Sequence, residues 1–171
     1  MKKTQRGFSL TELILYLAII GILMTVVVSM FLSFSKTQTK AESQTELQQN
    51  ARAAVERIRQ EIVKAASVNT PTAGVANAGN NLSLVMSSTW TCFQAANVGG
   101  VNILQMSEGG SGACGGTWNS ITSSKVSITN ADVFTRYDNT NAKSTIQIKL
   151  NMNYNGRTEY THSTQTTVGL R

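Results

Sequence analysis

The chain has 171 residues, a formal net charge of +6, and a composition that is 41% apolar and 14% charged. This length has room for one small outer domain beside one membrane helix. The positive charges form no Lys/Arg cluster with interleaved aromatic residues, so the composition predicts no nucleic-acid-binding surface and no nucleic acid among the partners.

The N-terminus combines a short basic segment with a long apolar run. Residues 1–7, MKKTQRG, carry three positive charges, and residues 13–35 carry no charge. About 20 apolar residues span a bilayer as a helix. A secretory signal peptide is the alternative, but its apolar core is about 7–15 residues long and ends at a small-residue cleavage site. No A-x-A motif follows this longer run, so we predict a single-pass helix with a cytoplasmic N-terminus and the body of the chain outside.

Glu12 is the one carboxylate at the start of the apolar run. A charged side chain at the centre of a membrane helix costs about 2.5–3.5 kcal/mol on insertion scales, and less near an interface. We therefore expect Glu12 to have a task. The alternative is that Glu12 lies near the headgroups, or pairs with the N-terminus of its own chain, and does nothing specific.

The segment GFSLTE, Gly7 to Glu12, with its basic leader and the following LILYLAIIGIL, resembles the type IV pilins and the pseudopilins of type II secretion. The resemblance covers Lys2 to about Ser35. It implies that a prepilin peptidase cuts between Gly7 and Phe8, removes the leader peptide 1–7, and methylates Phe8. It further implies passage from the inner membrane into a pilus or pseudopilus. The implied partners are other pilin or pseudopilin subunits, an inner-membrane assembly platform and the lipid bilayer.

Cleavage at this position would create a cation close to Glu12. The nitrogen of Phe8 is an uncharged amide before cleavage and an amine afterwards, and an α-amine is basic. The amine of one subunit can neutralise Glu12 of a neighbour inside an apolar bundle, where breaking a buried pair costs about 3–5 kcal/mol. We expect such a pair to set the axial register between subunits.

The helical pattern continues beyond the membrane-length run. No proline interrupts Phe8 to Val68, so we predict one helix of about 55–60 residues, with residues 8–35 in the membrane or filament core and 36–67 as an amphipathic continuation. Polar positions along this continuation, Glu61 included, are expected to face solvent. Unlike many major pilins, the chain has no proline in the outer half of the membrane segment, and Gly21 remains as a soft point. The apolar stripe consists of Leu47, Ala51, Ala54, Val55, Ile58, Ile62, Ala65 and Ala66.

Residues 68–171 are predicted to form an antiparallel β domain against which the helix packs, which gives an α+β fold. The Thr, Pro, Gly, Ala and Asn content of residues 69–81 indicates a loop. Asn155-Gly156 is a strong hairpin signal, and residues 146–154 alternate between a buried and a solvated face. The predicted strands are 82–86, 101–106, 126–129, 133–137, 145–154 and the return strand 157–168.

Cys92 and Cys114 are the only cysteines, and they lie in the part predicted to be outside the inner membrane, where disulfides persist. Closing this loop of about 22 residues would contribute roughly 3 kcal/mol in a glycine-rich stretch that is poor in core residues. A two-cysteine metal site would need further ligands. The only histidine, His162, lies in a distant predicted strand, where we expect it to be exposed. We therefore predict a disulfide and no metal.

The sequence contains no catalytic constellation that we recognise. It has no G-x-S-x-G, no HExxH and no P-loop, since the glycine-rich run 109–116 lacks the Lys-Ser/Thr end that a phosphate loop requires. Asp132 and Asp138 have too few accompanying carboxylates for a calcium loop and are predicted to be solvated ends of a strand. We predict neither an enzyme nor a cofactor.

Two further segments bear on the type of subunit. Residues 46–65 and the ending TTVGLR, residues 166–171, are similar to the W-type minor pilins and the J-type minor pseudopilins, accessory subunits at or near the filament tip that help prime assembly. A minor subunit is therefore expected ahead of a major one. The alternative from another class is a membrane-anchored binding module, adhesin-like or DNA-capturing, outside any filament. Glu12 separates the two, because a simple anchor has no use for a carboxylate there.

Overall fold

The computed structural model describes residues 9–109, 114–139 and 142–171 of the chain. These residues form one α-helix and ten β-strands. The chain divides into two compact units, with the boundary between Glu42 and Ser43. The first unit contains the beginning of the helix, and the second contains the remainder of the helix and all of the strands.

The helix, α1, runs from Leu10 to Lys64, and its 55 residues confirm the predicted long helix. It is long and apolar enough to cross a membrane, and its most apolar 18-residue window has no buried residue. In the second unit most of the predicted stripe is buried at steps of three and four residues, because it packs on the strands. The prediction was wrong for Ala66, which lies beyond the end of the helix and is exposed, and Val55 is only half-buried. The buried residues of α1 are Ser43, Leu47, Ala51, Ala54, Ile58, Glu61 and Ile62.

The helix ends three residues before the predicted boundary at residue 67. The backbone N–H of Ala65 donates to the Ile62 carbonyl at 3.2 Å, which tightens the last turn. The next N–H, of Ala66, donates to the Val85 carbonyl at 2.8 Å, so the chain leaves the helix directly into a β-ladder.

The ten strands form two antiparallel sheets. The order in sheet A is β1-β3-β4-β5-β6, and the order in sheet B is β10-β9-β8-β2, with β7 also paired to β9. This arrangement confirms an α+β fold with antiparallel strands. The strands are β1 Ser67–Thr70, β2 Val75–Gly79, β3 Asn81–Val85, β4 Trp90–Val98, β5 Val101–Gly109, β6 Asn119–Ser120, β7 Val126–Ile128, β8 Phe134–Asn139, β9 Ala142–Tyr154 and β10 Arg157–Gly169.

One apolar core joins the helix stripe to both sheets. Sheet A contributes residues such as Leu82 and Phe93, and sheet B contributes residues such as Phe134 and Ile148, all of them fully buried. The predicted inward face of β9 is buried from Ile146 to Met152 at alternate positions, while Tyr154 is half-buried. Its hairpin to β10 turns at Asn155 and Gly156, whose φ angles of 49° and 70° are those that a type I′ turn requires.

Two stretches for which no strand was predicted are strands: one was predicted to be poor in core residues, and the other lies in the predicted loop 69–81. Residues 90–98 form β4, and Phe93 is fully buried, so this stretch is not poor in core residues. It lacks an alternating pattern because both of its faces are covered: Thr91, Cys92 and Phe93 are buried in succession. Residues 75–79 form β2, an edge strand that pairs only with β8 and has a register shift between Val75 and Asn77. Glycine and asparagine are tolerated in such a short, irregular edge strand. Their presence made the composition of this stretch typical of a loop, so the strand was not predicted.

Candidate functional site: the exposed N-terminal helix

The start of α1 is defined by Ser9. Its backbone carbonyl accepts hydrogen bonds from the N–H groups of Glu12 at 3.1 Å and Leu13 at 3.2 Å, so Ser9 occupies the N-cap position. The Ser9 hydroxyl and the Thr11 hydroxyl lie 2.8 Å apart and share a hydrogen bond. The helix thus begins just after the predicted cleavage position. Gly7 and Phe8 themselves lie outside the described residues.

Glu12 lies in the first turn of this helix and is exposed. A negative side chain near a helix N-terminus is favoured by the helix dipole, typically by 0.3–1 kcal/mol at exposed sites. No salt bridge between described residues involves Glu12. Its carboxylate is therefore exposed on the helix surface and pairs with no basic residue that the structure describes.

The apolar side chains that follow Glu12 are exposed without exception. Every large apolar residue from Leu10 to Phe34 is exposed, from 47% at Ile19 to 75% at Leu10. An apolar surface of this extent on a soluble protein marks a site of interaction with another protein or with a membrane. The exposed apolar side chains of the first unit therefore mark it as a site of contact with a membrane or with another protein.

Two hydroxyl groups within this apolar surface donate to carbonyls of the helix itself. The Thr25 hydroxyl donates to the Ile22 carbonyl at 2.7 Å, and the Ser29 hydroxyl donates to the Val26 carbonyl at 2.8 Å. Such bonds remove the cost of placing a hydroxyl in an apolar environment. Between described residues of this segment, the Glu12 side chain takes part in no hydrogen bond of this kind.

The structure joins Cys92 and Cys114 in a disulfide, with Cα atoms 5.7 Å apart. Cys92 lies in β4, and Cys114 lies in the segment that precedes β6. The Ser83 hydroxyl is 3.0 Å from the Cys114 sulfur. The disulfide therefore fastens the segment around Cys114 onto sheet A.

Glu61, predicted to face solvent, is 6% exposed. Its carboxylate lies 3.6 Å from Arg57 and 3.2 Å from Lys64, and Arg57 also reaches Glu108 of β5 at 3.4 Å. Two cations one helical turn away make burial of this acid tolerable. The spacing of Arg57, Glu61 and Lys64 was the available sequence signal, since residues three and four apart share a helix face.

Asp138, predicted to be a solvated strand end, is instead held by several donors. The Arg136 guanidinium donates to it at 2.9 Å, and so does the Gly74 N–H. Hydrogen bonds from the Ser144 hydroxyl and from Arg136 hold the pKa of Asp138 below its ordinary value. Arg136 also donates to the Val68 carbonyl at 2.7 Å, which ties sheet B to the edge of sheet A. This cluster is a structural link, and sequence reasoning missed it.

The other two residues considered in the sequence, Asp132 and His162, take no part in the described hydrogen bonds of this link. Asp132 is exposed ahead of β8, as predicted. His162 lies in β10, as predicted, but is half-buried rather than exposed. It lies opposite Met152 in the β9–β10 ladder. The Met152 side chain is buried in the core.

Residues 2–28 match the family model of the prokaryotic N-terminal methylation motif. No curated protein and no solved structure matches the chain significantly. The motif is consistent with type IV pilins and pseudopilins, and it points to a structural protein that is processed by a prepilin peptidase and assembles with other pilins. Together with the exposed apolar helix, it supports membrane anchoring.

Proposed function

We propose that this protein is a minor structural subunit of a type IV pilus or of a type II secretion pseudopilus. The prepilin peptidase removes residues 1–7 and methylates Phe8. Residues 8–35 then form the filament core, the helix continues as an amphipathic segment to Lys64, and the strands from Ser67 onward form the outer domain. The observation that carries this proposal is the uninterrupted exposed apolar surface from Leu10 to Phe34 with a carboxylate at its start.

Before assembly, lipid covers this apolar surface. The chain crosses the inner membrane once, with a cytoplasmic N-terminus and the outer domain on the far side, where a disulfide persists. On assembly, the helices of other subunits replace lipid around the same side chains. Because lipid tails are as apolar as leucine, the exchange gains little from apolar burial alone, and polar contacts between helices decide the register.

Glu12 supplies that polar contact. The amine created at Phe8 of one subunit pairs with the Glu12 carboxylate of a neighbour, and neither group has another partner of opposite charge in an apolar bundle. The competing role, stabilisation of the helix start by the helix dipole, requires only a charge on the subunit's own helix. The two roles differ in what they predict for filaments.

The test compares Glu12→Gln and Glu12→Leu with Glu42→Gln, a matched control at an exposed carboxylate on the same helix outside the apolar run. The measurement is the ratio of sheared-filament protein to membrane-pool protein in the native cell. Both Glu12 variants should insert and be cleaved normally, and incorporation should fall by about tenfold or more, as loss of a buried pair implies. Glu42→Gln should incorporate as wild type does.

Intact mass of the membrane-extracted protein completes the test, with a chain beginning at methylated Phe8 as the expected result. Met1 retained in filaments, or a cut beyond Val27, would contradict the proposal. Unchanged incorporation of both Glu12 variants would mean that Glu12 only stabilises the start of its own helix and does not pair with a neighbouring subunit. Absence of the protein from all sheared filaments would favour the membrane-anchored binding module instead.

A further inference from the structure

A groove of uncharged polar residues lies where sheet A meets β2 of sheet B. It consists of two cavities of about 270 and 300 Å³, which share Thr70 and Asn81. None of the described residues that line either cavity is an Asp, Glu, Lys, Arg or His. This distinguishes the groove from the larger cleft around Arg57 and Glu61, whose charged groups already pair with one another.

The floor of the first cavity is the outer face of sheet A. Asn81 of β3 lies directly opposite Gln94 of β4, and Ser83 lies opposite Cys92, so these four side chains share one face. The Gln94 amide nitrogen donates to the Gln105 side-chain oxygen at 3.1 Å, which fixes the orientation of the Gln94 amide and leaves its oxygen as an acceptor. The Asn81 side chain is exposed and offers both a donor and an acceptor.

The wall of the first cavity is Trp118, which is half-buried. Three links hold its segment. Cys114 is bonded to Cys92, the Gly116 N–H donates to the Ser107 hydroxyl at 3.2 Å, and Asn119 pairs with Met106 in the β5–β6 ladder. Gly116 lies so close to β5 that an added Cβ would meet the Glu108 carbonyl oxygen at 2.5 Å. The backbone that carries Trp118 is therefore held in place on both sides of this residue before any ligand arrives, which lowers the cost of binding.

The second cavity continues the first with hydroxyl and amide groups. The Asn77 amide nitrogen donates to the Thr72 carbonyl at 3.0 Å and to the Thr72 hydroxyl at 3.1 Å. These bonds aim the amide and leave its oxygen as an acceptor. The two cavities together form a row of polar groups with one aromatic wall.

This chemistry selects the class of ligand. A phosphate, a carboxylate or a divalent cation would need charged partners, and the lining residues supply none. Sugar hydroxyls both donate and accept, as amide side chains do, and the apolar face of a sugar ring packs on an aromatic ring. Each cavity lies at or just below the 300–1,000 Å³ of a drug-sized site, which suits one ring each.

We propose that this groove binds an uncharged oligosaccharide, with one sugar ring against Trp118 and the next in the cavity lined by Thr72 and Asn77. This site is separate from the proposed filament contact and does not depend on it. It gives the outer domain a ligand class that neither the methylation motif nor the apolar helix implies.

The experiment uses the full chain in a detergent without a sugar headgroup. The probes are immobilised neutral oligosaccharides, their sialylated and sulfated counterparts, and single-stranded DNA. Wild type should be retained by a subset of the neutral glycans. Trp118→Ala should weaken that binding by about tenfold, the scale of one aromatic contact. Trp90→Ala is the matched control, because Trp90 lines neither cavity.

Two further variants guard against misfolding and report directly on the site. Asn81→Ala changes an exposed side chain and should weaken binding of the same glycans. Trp90→Phe leaves Trp118 as the only tryptophan, so titration with the best neutral glycan should change its fluorescence. Retention by acidic glycans or DNA alone would overturn the proposal, and so would retention by no neutral glycan. Equal affinities of wild type, Trp118→Ala and Asn81→Ala would also overturn it.

Discussion

The two ends of α1 have the same secondary structure and opposite surfaces. From Leu10 to Phe34 every large apolar side chain is exposed, whereas Leu47, Ile58 and Ile62 have no exposed surface. Both segments are rich in aliphatic residues, yet among the residues that the structure describes only the second packs against apolar partners. The difference shows that this one helix serves two environments: one that the fold supplies and one that lipid or other subunits must supply.

The comparison also shows why only one end has an amphipathic pattern. The outer end contacts strands along one stripe and water elsewhere, so polar residues fill the other positions. The inner end is apolar on all sides, which is the pattern of a helix surrounded by lipid or by other helices. A periodic stripe would have indicated a single packing face, and the inner end has none.

The largest effect should separate the two ends by stability. Ile58→Ala removes a fully buried side chain and should lower the free energy of unfolding of the outer domain by about 2–5 kcal/mol. Ile20→Ala removes the same atoms from a side chain that is 49% exposed and should leave that free energy nearly unchanged. Urea unfolding of the full chain, followed by tryptophan fluorescence, measures both. Similar losses in the two variants would contradict the distinction.

The next effect concerns a covalent link that only the outer domain has. Replacing Cys92 and Cys114 together by Ala should lower the free energy of unfolding by about 3 kcal/mol, since the 22-residue separation sets the entropy of the open loop. Alanine suits Cys92 because this side chain is 1% exposed and a serine hydroxyl would need a partner there. The urea midpoint of the double variant is the measurement. A midpoint equal to that of wild type would mean that the sheet contacts alone hold this segment.

The sequence predicted best those elements whose pattern is local. The long helix, the buried alternate face of β9 and the Asn155-Gly156 turn follow from residue spacing and turn chemistry, and all three are present. The methylation motif was recognisable because its residues are contiguous. The pairing of Glu12 with a neighbour involves a second subunit, so it stays a prediction.

The predictions from sequence were wrong where contacts between distant segments determine the structure. β4 lost its alternation because the segment around Cys114 covers its second face. Glu61 is buried against the sheet side of the helix, and its ion pairs with Arg57 and Lys64, together with the contact of Arg57 with Glu108 of β5, compensate its charge. The segment that carries Trp118 is held by the Cys92–Cys114 disulfide to β4 and by the Gly116–Ser107 hydrogen bond to β5. Apart from the spacing of Arg57, Glu61 and Lys64 on one helix, these contacts join segments that are apart in the chain, so residue spacing along one segment does not give them.

A smaller effect should appear in the acid response of the outer domain. Hydrogen bonds from Ser144 and Arg136 lower the pKa of Asp138 in the folded state. Its contribution is therefore fully present above the ordinary pKa of 3.8 and is lost as the pH falls through the lower folded value. Asp138→Asn should reduce the loss of stability in this acidic range, and Asp132→Asn, at an exposed carboxylate, is the matched control. Urea midpoints between pH 7 and pH 3 test this, and an unaltered pH dependence in Asp138→Asn would contradict it.

The smallest effect on stability is expected at Gly21. This residue lies in the exposed apolar end of α1, so its substitution tests whether that end and the outer domain unfold independently. An added Cβ at Gly21 meets no atom within 4 Å, so Gly21→Ala fits the chain without a clash. Alanine favours a helix over glycine by about 1 kcal/mol, so residues 10–34 should become more helical. That gain should not reach the outer domain, because this part of α1 lies in the other compact unit and has no buried apolar residue. The urea midpoint of the outer domain should equal that of wild type. A midpoint that rises by the full helix-propensity gain would show that the two ends of α1 unfold as one unit.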